Sequence, residues 1–217
     1  MRHARSVGLK RFALVHPADA FGAPALAIYR QALADTGGQD VAVVSVPNVS
    51  STDFDKGVDQ LRAARADVVI AYLSQTFPEF LRLYRDRGVP SQLYTISLAY
   101  SSKLMEMKPE HVRGVGVTQT TPSPWDETRP VVREFLRDRK LDGAKVPITF
   151  GALEGYIAGK LLVEGLRRAG PNPSPELLRS ALAKSRIDIG GLHVPNGGEG
   201  ASYVEIGVLD ESGRYRR

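Results

Sequence analysis

Six side chains carry the polar and aromatic chemistry of small-ligand contact: Asp19 and Phe21, Ser74 and Gln75, Ser97 and Tyr100. Each pair follows a short apolar run, so each falls in the loop after a strand-like segment. Hydroxyls, amides and the N–H groups of helix N-termini can hold a carboxylate, and an aromatic ring can cover an apolar body. A single serine or threonine in such a loop more often caps a helix or closes a turn. The weight rests on several polar loops meeting at one edge, with Gln119–Pro124 as a fourth.

Catalytic patterns are missing. His3, His16, His111 and His193 have no metal-ligand spacing, and the absence of cysteine excludes disulfides, thiolate metal sites and cysteine nucleophiles. Gly114-Val115-Gly116 lacks the third glycine of a dinucleotide fingerprint and sits within a strand. There is no GxSxG elbow or GxxxxGK[ST] phosphate loop, and Asp53 and Asp55 lie at a helix start, where negative charge is favourable anyway. The expectation is a binding protein, not an enzyme, with no cofactor and no metal. The net charge of +5 concentrates at Arg82, Arg85 and Arg87, at Arg167 and Arg168, and at Arg214, Arg216 and Arg217. These read as solvated helix faces and a basic tail, so no nucleic-acid partner is expected.

No apolar run approaches the roughly 20 residues that cross a bilayer. Met1–Arg11 is basic and Phe12–Val15 apolar, but the run stops at His16-Pro17-Ala18-Asp19. That is far short of the roughly 7–15 residues of a leader core. No signal peptide is read in this chain; it is cytosolic, or its start lies upstream.

The elements that must position these residues alternate regularly. Strands are predicted at 11–16, 41–46, 67–72, 92–96 and 114–118, with helices over 22–36, from 51–53 onward, and from Pro78 to Gly88. Near-continuous apolar strands alternating with amphipathic helices indicate a parallel sheet covered on both faces. After about Pro122 the rhythm breaks. Helices are predicted at 126–140, 150–169 and 175–183, and strands return only at 192–194 and 203–209. Gly151, Gly155 and Gly159 recur at i,i+4 in the long helix, although each costs roughly 1 kcal/mol against Ala. This row predicts another backbone packed close to that face, and hence a second sheet outside the chain. The alternative is three helices bundling among themselves and on the first sheet.

Taken in order, Lys10–Val15 followed by Asp19-Ala20-Phe21-Gly22, Thr52-Asp53-Phe54, Ala66–Val69, Gly114–Val117, Leu153–Lys160 and Gly165–Gly170 form a familiar series. The chain resembles the type I periplasmic binding proteins, specifically the leucine/isoleucine/valine-binding components of ABC transporters. The resemblance runs almost end to end. It implies an α/β fold of two lobes, each a flavodoxin-like parallel sheet with flanking helices, joined by three crossovers with ligand trapped between them. Residues 1–10 would end a crossover helix, and 11–122 would form lobe two. Residues 123–186 would be helices of an incomplete lobe one, and 187–217 would return to lobe two. It also implies a periplasmic location, a small amino acid or related carboxylate as ligand, and a membrane permease as partner. By the same resemblance, the aromatic after the first strand matches Phe21, and the third-strand position falls near Ser74. The position after the fourth strand, often an acid that pairs with the ligand's ammonium, falls near Ser97. A hydroxyl there supplies no full counter-charge, which leaves room for other carboxylates. Two alternatives stay open: the ligand-sensing domain of a cytosolic regulator with this fold, and a flavodoxin-like enzyme.

Overall fold

The computed structural model describes residues 1–183, 186–194 and 203–216; Arg217, part of the basic tail, lies outside them. The chain forms two units, Met1–Thr118 with Ile206–Arg217, and Gln119–Glu205. In the first, a short helix α1 (Arg2–Ser6) leads into β1 (Arg11–Pro17), α2 (Ala23–Thr36), β2 (Gln39–Val46) and α3 (Asp55–Ala64). Then come β3 (Val68–Ala71), α4 (Phe77–Asp86), β4 (Gln92–Thr95), a single 3-10 turn at Ser97–Ala99, α5 (Ser102–Met105), α6 (Pro109–Val112) and β5 (Gly116–Gln119). The second holds α7 (Pro130–Leu141), α8 (Phe150–Ala169), α9 (Pro175–Ala183) and a hairpin of β6 (Ile187–Ile189) and β7 (Leu192–Val194). The last strands, β8 (Glu205–Leu209) and β9 (Tyr215–Arg216), rejoin the main sheet.

That sheet has the order β2-β1-β3-β4-β5-β8-β9. The pairs β1–β2, β1–β3, β3–β4 and β4–β5 are parallel, so their C-terminal ends share one edge. β1 is buried from Phe12 to Pro17, as a strand flanked on both sides and covered on both faces must be. Its residues alternate between two cores. Ala13 and Val15 face Val58 and Leu61 of α3 and the aromatic row Phe77, Phe80 and Tyr84 of α4. Phe12 and Leu14 face Ala4 of α1 and Tyr29 and Leu33 of α2. The sequence pattern of an α/β sheet with flanking helices is the architecture found.

Helix ends follow local chemistry. Gly37, at φ 64°, closes α2 in the left-handed conformation that glycine adopts without penalty. Ser51, Thr52 and Asp53, expected to cap α3, do not; the cap position is Phe54, whose ring is buried in the core. The helix expected from Asp126 begins at Pro130, because the Asp126 carboxylate accepts the Thr128 N–H (3.2 Å) and holds a turn instead. The β6–β7 hairpin pairs within the second unit, so the chain re-enters the first at Ile206 and not at residue 187. β6 and β9 are too short to show a strand period.

In the second unit, Val131, Val132 and Phe135 of α7 pack with Leu153 and Ile157 of α8 and with Ile187, Ile189 and Leu192. Gly165 lets α9 approach: an added Cβ would lie 2.8 Å from Leu178 and Leu182. The row Gly151, Gly155 and Gly159 behaves differently. Beyond the chain neighbours and the nearby backbone of α8 itself, no described atom lies within 4 Å of where a Cβ would sit, and Leu162 and Val163 nearby are each 49% exposed. The close-packed backbone that the row predicts is not supplied by the described residues.

The basic clusters are paired locally. Arg87 bridges Asp55 and Asp59 of α3, Arg85 donates to the His111 and Arg113 carbonyls, Arg168 meets Glu164, and Arg214 and Arg216 meet Asp210.

Phe80 is fully buried, edge-to-face with Phe54 at 5.4 Å and beside Tyr84 at 5.5 Å. Truncating it by Phe80→Ala is expected to lower the unfolding free energy by about 3–5 kcal/mol, read by urea denaturation.

Candidate functional site

Strand order in the main sheet reverses at β1, since β2 lies on one side of it and β3, β4 and β5 on the other. The loops leaving β1 and β3 therefore diverge, and the crevice between them is where ligands bind in open α/β sheets. At that point Phe21, after β1, packs on Tyr72, which follows β3 directly, with ring centroids 4.9 Å apart and planes tilted by 34°. Both rings are half-buried. Together they form an apolar surface at the tips of the two central strands.

Asp19 holds this loop in place. Its Oδ1 accepts the N–H groups of Phe21 (3.0 Å) and Gly22 (3.2 Å), and its Oδ2 accepts that of Val49 (2.7 Å). The carboxylate thus clasps the β1–α2 loop to the β2–α3 loop. Donation from Val49, then from Gly22 and Phe21, holds its pKa below the ordinary carboxylate value against the opposing effect of burial. The turn requires glycine next: a Cβ on Gly22 would lie 1.9 Å from the Pro17 carbonyl oxygen.

The β3–α4 loop places Ser74 and Gln75 beside a polar cavity of about 510 Å³. Across it stand Val49, Ser50 and Thr52 of the β2–α3 loop, and Glu79 of α4 and Lys103 of α5 complete the lining. Thr76, at the N-terminus of α4, donates its hydroxyl to the Val49 carbonyl (3.4 Å) and ties the same two loops again. Ser97 is half-buried at the start of the 3-10 turn, where its carbonyl accepts the Tyr100 N–H (3.0 Å). Tyr100 turns elsewhere. Its hydroxyl donates to the Gly213 carbonyl (3.4 Å) in the β8–β9 hairpin, its ring packs on the core, and burial raises its pKa. The fourth candidate loop, 119–124, belongs to the second unit.

Of the residues expected to touch ligand, Phe21, Ser74 and Gln75 thus line the crevice edge, Ser97 starts the neighbouring loop, and Asp19 and Tyr100 brace backbone. Sequence reasoning missed Tyr72, which reads there as the last residue of a strand. It also missed the whole β2–α3 loop, Glu79 and Lys103. The signal for Glu79 was present but pointed elsewhere: Thr76-Phe77-Pro78-Glu79 matches the pattern of a helix capping box. A second cavity, of about 90 Å³, lies under α1 on the α1–α2 face of the sheet and is lined mainly by apolar groups such as Phe12, Val68 and Ile70. Among the described residues no cluster of three or more metal-ligating side chains occurs, and no helix is long and apolar enough to cross a membrane.

The family model described as "Periplasmic binding protein" matches residues 1–200. The chain belongs to the periplasmic binding protein family. No curated protein sequence matches it, whereas solved structures match over nearly its full length. A substrate-binding periplasmic protein from Ralstonia solanacearum is 30% identical at a TM-score of 0.83, over 99% of this chain and 63% of that one. An extracellular ligand-binding receptor from Verminephrobacter eiseniae is 25% identical at 0.80, over 100% and 63%. A branched chain amino acid ABC transporter periplasmic ligand-binding protein from Burkholderia xenovorans, 18% identical at 0.77 over 99% and 59%, shares the fold. Its fold is that of the type I periplasmic binding proteins, a family of substrate-binding proteins and not of enzymes. The periplasmic binding protein chain described here spans less than two thirds of the length of these relatives.

A depressed carboxyl pKa contributes stability that is complete above the unfolded value, about 3.9, and is lost as pH falls through the folded one. Replacing Asp19 by Asn is therefore expected to lower the melting temperature at pH 7. The gap from the unmodified protein should narrow at a pH below the ordinary carboxylate range, as Asp19 itself loses its charge. Circular-dichroism melts at the two pH values check this.

Proposed function

We propose that this chain is part of the substrate-binding component of an ABC transporter, holding an amino acid or related small carboxylate in a cleft between two lobes. In this reading residues 11–122 form most of one lobe and residues 123–186 contribute helices to the other. The last strands, from residue 206, complete the first. The ligand's apolar body lies against Phe21 and Tyr72, and its polar end meets Ser74, Gln75 and Ser97. Ligand contacts present only when the lobes close shift the balance toward the closed form, which is how capture is coupled to delivery.

The observation that carries the reading is the Phe21–Tyr72 pair at the reversal of strand order, flanked by loops of hydroxyl and amide groups. It supplies the apolar surface and the few oriented polar groups that small-molecule sites combine. The relatives support the ligand class, since the Burkholderia protein carries the name of a branched chain amino acid transporter component. The uncovered glycine row of α8 supports the division into lobes: small residues in a helix face admit a closely packed neighbour, and the described residues supply none. The facing wall of the cleft comes, in this reading, from the part of the fold that the relatives have beyond the span matched here. A periplasmic location and a membrane permease as partner follow from the same proposal.

Titrating the isotopically labelled chain with the proteinogenic amino acids and with small aliphatic and aromatic carboxylates tests the reading. Amide shifts are expected for at least one compound, confined to the loops after β1, β3 and β4. Phe21→Ala or Tyr72→Ala should weaken that binding about tenfold, as loss of a buried aromatic contact does. Shifts with no compound, or only away from these loops, would overturn it.

A further inference from the structure

The apolar cavity of about 90 Å³ under α1 is lined by described residues of the first unit only. Its lining climbs the sheet from Phe12 and Val68, near the N-terminal ends of β1 and β3, to Ile96 and Thr118 at the C-terminal ends of β4 and β5. One end of the cavity therefore reaches the edge where the candidate site stands, and Ile96 is followed directly by Ser97. The pairing of Ala71 with Thr95 sets Tyr72 beside Ile96 on the same face, because side chains alternate along paired strands. Ile70, Tyr72 and Tyr94 pack on one core with Phe12, Leu14 and Val68, which fixes that face as the one under α1 and α2. The Phe21–Tyr72 surface and the cavity are thus neighbours. Ile70 and Ile96, which line the cavity, adjoin Tyr72 along its strand and across to the next.

Among the described residues no aspartate, glutamate, lysine or arginine lines this cavity. The Thr95 and Thr118 hydroxyls are spent, donating to the carbonyls of Ala71 (2.9 Å) and Thr95 (3.2 Å). A charged group entering here would lose its hydration without a partner, whereas an apolar group gains by leaving water. Tyr94 forms part of the wall. Its ring lies over Gly116, where any Cβ would collide with it, so the ring rests against β5 and the space beside it stays open. At roughly the 30 Å³ that one water takes up in the liquid, the space holds about three carbon groups.

We infer that this cavity is the subsite for the apolar tail of the captured ligand, a carboxylate whose chain runs past Phe21 and Tyr72 and under α1. The inference rests on the ligand-capture reading above and adds to it the reach of the ligand. The polar end stays at Ser74, Gln75 and Ser97, and the tail enters beside Ile96. The cavity then sets how long a tail is rewarded.

Straight-chain carboxylates from propanoate to octanoate, titrated into the isotopically labelled chain and followed by amide and methyl shifts, test it. Affinity should rise about fourfold per added methylene over about three methylenes, the scale of burying one methylene, and then level off. The terminal methyl of the tightest binder should give Overhauser contacts to Ile70, Ile96 or Ile206. Ala4→Leu on α1 and Ile206→Phe on β8 each place added bulk in the cavity, from opposite sides of its lining. Either variant, once circular dichroism shows it folded, should cut the whole gain with length to less than about fourfold. A flat series, or a gain that survives undiminished in a folded variant, overturns the subsite. So do terminal-methyl contacts to Phe21 and Tyr72 alone, which decide the matter even if neither variant folds. Failure of the whole series while an amino acid or aromatic carboxylate still shifts the loops after β1, β3 and β4 also overturns the subsite and leaves the ligand-capture reading standing. Failure of every compound overturns both.

Discussion

The position of β1 constrains everything else in the first unit. It runs parallel between β2 and β3 and is buried on both faces from Phe12 onward, so its register is strongly specified, with one irregularity against β2 between Phe12 and Ala13. A one-residue slip would exchange the side chains between two differently shaped cores, moving Phe12 and Leu14 under α3 and α4. Because the chain passes to β2 on one side and to β3 on the other, the loops at the strand tips part at this strand and nowhere else. The crevice is a consequence of strand order, and the residues that begin those two loops become its walls.

A crevice made of loops needs fixing, and here the fixing is done by side chain to backbone bonds. Asp19 holds three N–H groups from two loops, and Thr76 joins the same β2–α3 loop to the start of α4. Gly22 allows the chain to fold back on the Pro17 carbonyl, where any side chain would collide. These bonds fix the backbone from which Phe21 projects toward Tyr72, and a loop already fixed loses less entropy when a ligand covers it. Some groups only brace the site, as Asp19 does, whereas Thr76 and Val49 both brace it and line the polar cavity.

Much of the fold was legible because its signals are periodic and long. The apolar runs at 11–16, 41–46 and 67–72 and the helix at 150–169 follow from spacing alone, and the reversal in rhythm after Pro122 lies within a few residues of the division at Thr118. What stayed hidden was short or decided by tertiary packing. β6 and β9 have three and two residues, too few for a period. Phe54 displaces Ser51, Thr52 and Asp53 from the cap of α3 because burying its ring outweighs one hydrogen bond. The site was legible by loop and not by residue. Asp19 has the chemistry of a ligand contact but spends its oxygens on backbone; Tyr100 has it too and serves the β8–β9 hairpin. Tyr72 reads as strand in the sequence, and Glu79 fits a capping pattern that the folded chain leaves unused.

The central claim is that ligand rests on the tips of β1 and β3. Nuclear Overhauser contacts between ligand protons and the protein test it most directly, with whichever amino acid or carboxylate binds. The account predicts contacts to the ring protons of Phe21 and Tyr72. Contacts confined to Phe12, Val68 and Ile70, in the apolar cavity under α1, would contradict it.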